Sequence, residues 1–95
     1  MKTIWKYPLD GEITMPRGAQ ILSVYPQNDG VCIWALVEPE AQSETRTFKT
    51  FGTGHLIPEY DSLKWVFLGT TLHYGGSLVL HTFEILEAGK EERVG

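Results

Sequence analysis

The chain has 95 residues, twelve acidic against eight basic, and a formal net charge of −4 at pH 7. That length sets one domain with a thin core. The acidity argues against a binder of nucleic-acid polymers, which needs a basic footprint, and no apolar run approaches the roughly 18 residues that span a membrane.

Lys2 to Tyr7 reads as a first strand, ended by Pro8 and the turn pair Asp10-Gly11. Pro8 lacks a ladder donor, so this strand lies at a sheet edge or ends there, with Trp5 and Tyr7 on one face. Glu12 to Met15 reads as a short extended piece, followed by a turn at Pro16-Arg17-Gly18. Ala19 to Tyr25 alternates as a second strand, with Ile21, Ser23 and Tyr25 on one face and Leu22 and Val24 on the other. Asn28-Asp29-Gly30 is a hairpin signal, because these residues tolerate positive φ.

Val31 to Val37 is apolar on both faces and reads as a central strand. Cys32, Trp34 and Leu36 oppose Val31, Ile33, Ala35 and Val37. Trp34 and Trp65 are expected in the core. Glu38 to Glu44 is a polar connection with room for a helical turn at Pro39–Ser43. Thr45 to Phe51 is a fourth strand, with Arg46, Phe48 and Thr50 on one face and Thr45, Thr47, Lys49 and Phe51 on the other. A second short helical turn fits Pro58–Leu63. Leu63 to Tyr74 is a fifth strand with a bend at Gly69, and Gly75-Gly76 turns the chain into a sixth, Ser77 to Leu86. The expected fold is all-β, with about six antiparallel strands in a small sandwich or barrel. Residues 1–88 form the domain and 89–95 a charged flexible tail.

The stretch Phe51-Gly52-Thr53-Gly54-His55-Leu56-Ile57-Pro58 joins two of these strands and carries the densest chemistry in the chain. Gly52, Thr53 and Gly54 could offer backbone N–H groups and a hydroxyl to an anion, and His55 could add an imidazole donor. Arg46 on the preceding strand and Arg17 on the proline turn supply guanidinium forks suited to phosphate. Trp5, Trp34, Trp65, Tyr7 and Tyr60 could stack a base. Arg17, Arg46, Gly52, Thr53, Gly54, His55, Tyr60 and Trp5 are the expected ligand site. No catalytic or metal site is expected. His73 faces Leu78 and His81 faces Thr70 across the hairpin, so the histidines do not gather as ligands, and no nucleophile elbow is present. A hydrolase built on His55 with Glu59 or Asp61 is the enzymatic alternative.

The motifs Ile4-Trp5-Lys6-Tyr7-Pro8, Met15-Pro16-Arg17-Gly18-Ala19, Trp34-Ala35-Leu36-Val37, Gly52-Thr53-Gly54-His55-Leu56-Ile57-Pro58 and His81-Thr82-Phe83-Glu84 resemble those of a family of small bacteriophage and prophage proteins. The resemblance implies a phage product acting in the bacterial cytoplasm, in the size class of anti-defence proteins that hold a host nucleotide signal without cleaving it. The single cysteine, Cys32, allows no intramolecular disulfide, and the N-terminus has no long apolar segment; both fit that compartment. The functional expectation is therefore a non-enzymatic, homo-oligomeric protein that needs no cofactor and sequesters a small anionic nucleotide, a cyclic oligonucleotide or an ADP-ribose derivative. The alternatives are a protein-interaction or virion accessory module and a phosphodiesterase-like enzyme using His55.

Overall fold

The computed structural model describes residues 1–28, 30–58 and 63–87. Seven strands run in chain order: β1 (Thr3–Pro8), β2 (Glu12–Pro16), β3 (Gln20–Gln27), β4 (Gly30–Val37), β5 (Ser43–Gly52), β6 (Leu63–His73) and β7 (Leu78–Glu87). They form two antiparallel sheets in the orders β1-β4-β3 and β2-β5-β7-β6. The fold is all-β and sandwich-like, not a closed barrel. The piece Glu12 to Met15, expected only as short extended chain, is a full ladder strand against β5 from Glu12↔Thr47 to Pro16↔Ser43.

β4 is the central strand of the smaller sheet, and β1 lies at an edge, as Pro8 allows. Alternation divides β4 as its sequence suggests. Val31, Ile33, Ala35 and Val37 are buried inside the sandwich, whereas Trp34 and Leu36 are only half-buried on the outer face. The core gathers these four residues with Ile13, Met15, Ala19, Val24 and Phe48. Neither Trp34 nor Trp65 belongs to it. This corrects the expectation that both tryptophans are core: a two-sheet fold has one interior, and the strand registers put Trp34 and Trp65 on the outer faces of their sheets.

Two bulges adjust the ladders. The β3–β4 register shifts between Ile21 and Ser23, so Ile21 opposes Ala35 and Ser23 opposes Trp34. Leu22 is the extra residue. Simple alternation would have put Ile21 with Ser23 and Tyr25; instead Ile21 and Val24 pack inward, and Leu22, Ser23 and Tyr25 face out. The β6–β7 register shifts between Phe67 and Gly69, where a bend was expected. There Gly69 lies against Val24 of β3, with a would-be Cβ 3.4 Å from the valine Cβ. This close approach joins the two sheets along β3 and β6.

The β6–β7 register places His73 opposite Leu78 and His81 opposite Thr70, as the hairpin reading requires. Residues 39–43 form no helical turn; Ala41 N–H donates to the Glu38 carbonyl at 3.0 Å and β5 begins at Ser43. The stretch expected to turn helically at Pro58–Leu63 falls mostly outside the described residues, as does the tail at 89–95. Among the described residues no helix is long and apolar enough to cross a membrane.

Candidate functional site

The expected anion loop is a closed turn that uses its own donors. His55 N–H donates to the Gly52 carbonyl at 3.1 Å, and Gly54 sits at φ 88°, where a side chain would be strained. The His55 ring folds back so that its Nδ1 accepts from Gly52 N–H at 3.2 Å. The close approach requires glycine: a Cβ at position 52 would lie 2.9 Å from the ring Cε1. Thr53 N–H reaches the Val79 carbonyl at 3.4 Å, and the Thr53 hydroxyl bonds to His81 Nε2 at 2.7 Å. The backbone N–H groups of Gly52, Thr53 and His55 and the Thr53 hydroxyl are thus engaged within the protein, so the backbone of the turn offers no preformed cradle.

Nor do the arginines converge on it. Arg46 points into the sandwich and is buried. Its Nε and Nη2 bind both carboxylate oxygens of Glu84, at 2.7 and 2.8 Å, and Nη1 donates to the Ala19 carbonyl. Glu44 approaches the same guanidinium at 3.9 Å. A buried arginine held by this network fixes the turn before β3 to the larger sheet, and it is not available to an external phosphate. Arg17 stands exposed on that turn, its N–H bonded to the Gln42 carbonyl at 2.7 Å. Trp5 is 42% exposed on the inward side of edge strand β1, opposite Ala35. Tyr60, Glu59 and Asp61 lie outside the described residues.

The other two histidines are similarly engaged. His81 bridges the hydroxyls of Thr53 and Thr70, with Nδ1 3.0 Å from the latter. His73 Nε2 meets the Thr71 hydroxyl at 2.8 Å. Cys32 is buried. Each histidine has a hydroxyl or backbone partner, and none forms an ion pair with a carboxylate among the described residues.

What the sandwich presents outward is aromatic. On the larger sheet, Phe83 touches Phe67, Phe51 and Trp65 at centroid distances of 5.4, 6.1 and 6.2 Å, and Phe67 is 55% exposed. The smaller sheet carries an open groove of about 530 Å³ on its outer face. Trp34 forms its floor, and Ile4 of β1 and Leu22, Tyr25 and Pro26 of β3 flank it. Ser23 and Gln27 are its polar lining, and Lys6, the cross-strand neighbour of Trp34, holds Gln27 Oε1 at 2.7 Å. None of these groove residues was among the eight expected from the sequence, although Trp34 had been read as able to stack a base. The bulge hid Leu22, because it sends Leu22 to the same side as Ser23 and Tyr25.

A family model described as a domain of unknown function, DUF7352, matches residues 1–93. The chain belongs to the DUF7352 family. No curated protein and no solved structure matches it. In this DUF7352 protein the outer faces of both sheets carry exposed aromatic side chains, and the groove lies on the smaller one.

Proposed function

We propose that this protein is a non-catalytic binding module whose recognition surface is the groove on the outer face of β1-β4-β3. The observation that carries the reading is an open, shallow apolar groove lined by Trp34, with a few polar groups at its edge. Its volume of about 530 Å³ falls within the range of about 300–1,000 Å³ common for small-ligand sites. The site sits on a three-stranded ladder and not on a loop, so it is preorganised and a ligand costs little ordering on binding. Holding a ligand without turning it over is what sequestration of a signal requires, and the engaged histidines support the non-enzymatic side of that reading. Amide NMR during titration with neutral planar fragments such as indole tests it. Shifts should cluster at Ile4, Leu22, Tyr25 and Trp34; shifts confined to another face would overturn it.

A second reading rests on the Phe51–Trp65–Phe67–Phe83 cluster. An exposed aromatic sheet face of this kind is suited to a protein partner. Loss of a stoichiometric partner from pull-downs on Phe67→Ser, with groove variants unaffected, would favour it.

A further inference from the structure

We propose that the groove takes a nucleotide: a planar heterocycle laid on Trp34 beside Tyr25, with its phosphate directed at Lys6. This rests on the groove being the recognition surface. Three observations select the ligand class.

The first is charge. On the outer face of β1, β4 and β3, Lys6 is the one charged side chain among the described residues. It lies directly across the ladder from Trp34 and forms no ion pair among them. Of its three N–H donors one goes to Gln27, which leaves two for an anion. A lone cation beside an aromatic floor, on a protein of net charge −4, suits a small anion and disfavours a polyanion.

The second is the aromatic geometry. Tyr25 opposes Cys32 and Ser23 opposes Trp34, so the two rings stand on adjacent strands, one diagonal step apart. That spacing is about 7–8 Å at the backbone, within reach of large side chains that together contact one flat ligand. Tyr25 is 64% exposed, so its ring is open to a ligand. Stacking of a base on such rings is tolerant of base identity.

The third is the hydrogen-bond pattern at Gln27. Its Oε1 accepts from Lys6 Nζ and, at 3.6 Å, from Cys32 Sγ. Two donors on one oxygen fix the amide orientation, so Nε2 presents its hydrogens elsewhere. Together with the Ser23 hydroxyl these are donors for the ring nitrogens and carbonyls of a heterocycle, which a purely hydrocarbon ligand would leave unused.

Calorimetry and amide NMR with adenosine 5′-monophosphate, adenosine and inorganic phosphate test the assignment. The nucleotide should bind about three- to fivefold more tightly than the nucleoside, the increment of an exposed ion pair, and phosphate alone should give no measurable binding. In Lys6→Gln the difference in affinity between nucleotide and nucleoside should vanish. Trp34→Phe, with its fold checked by circular dichroism, should weaken both. Equal affinities for nucleotide and nucleoside, with shifts still at Trp34 and Tyr25, would overturn the ligand class and leave the groove standing. If neither these probes nor neutral planar fragments shift the groove residues, both readings fall.

Discussion

Arg46 and Glu84 form a two-pronged ion pair inside the sandwich, Nε to Oε2 at 2.7 Å and Nη2 to Oε1 at 2.8 Å. The residue that sequence reasoning assigned to an external anion thus already binds a carboxylate, one supplied by β7. Removing one member of such a pair leaves a charge in the interior without its counter-charge, at about 3–5 kcal/mol. Arg46→Ala should therefore lower the unfolding free energy by about that amount in urea titrations. Arg46→Met combined with Glu84→Leu should recover most of it, because well-packed apolar replacements of buried pairs are often neutral. A double variant no better than Arg46→Ala would show that the pair is not the cause.

The Gly52–His55 turn predicts a dependence between two positions. Gly52→Ala places a methyl 2.9 Å from the imidazole Cε1 and should cost about 1–2 kcal/mol. In a His55→Ala background the same methyl meets no ring, and the added cost should fall to a few tenths of a kcal/mol. Thermal denaturation of the four proteins measures this coupling. Additive costs would mean that the ring does not occupy its place over Gly52.

Tyr7 contributes a test with a pH axis. Its hydroxyl is buried without a hydrogen-bond partner among the described residues, and burial holds its phenol above the usual value. The neutral form is the one that folds well. Its contribution is whole below about pH 10, the ordinary phenol range, and is lost as pH rises through the higher folded value. Tyr7→Phe should stabilise the protein by about 1 kcal/mol at pH 7, since it removes an unsatisfied polar group. It should also remove part of the decline in stability above pH 10. An unchanged alkaline profile in the variant would contradict this assignment.

Phe83 and Phe67 share a face but not a role. Phe83 contacts three rings and Phe67 contacts only Phe83 among the described aromatic pairs. Phe83→Ala should cost about 2–3 kcal/mol and Phe67→Ala about 1 kcal/mol. Equal costs in chemical denaturation would place the cluster's centre elsewhere.

The ladder was legible because period-2 alternation and turn chemistry are local. The face assignments of β4 and β5, the edge position of β1 and the His81–Thr70 register all follow from such patterns. Whatever depended on distant partners was not legible. Nothing in the spacing of Arg46 announces Glu84 across 38 positions, and an arginine on a strand reads equally well as a phosphate ligand or a buried pair. The glycine loop misled for a related reason: its glycines fit a cradle and a closed turn alike, and the difference lies in where the imidazole folds. The tryptophans were expected inside, but only the pairing of sheets decides which face is interior.

Leu22 has one further consequence. It is the surplus residue in its ladder, 45% exposed, and it walls the groove. Strike it out and Ser23 follows Ile21 in ordinary alternation, with Ile21 and Val24 still pointing inward. A Leu22 deletion should keep the cooperative unfolding of the parent and lose the shifts that planar ligands cause at Trp34. Substitutions can only tune this site, whereas a single codon gained or lost could make or erase it, so length variation at this point in relatives would mark where the binding trait was acquired or discarded.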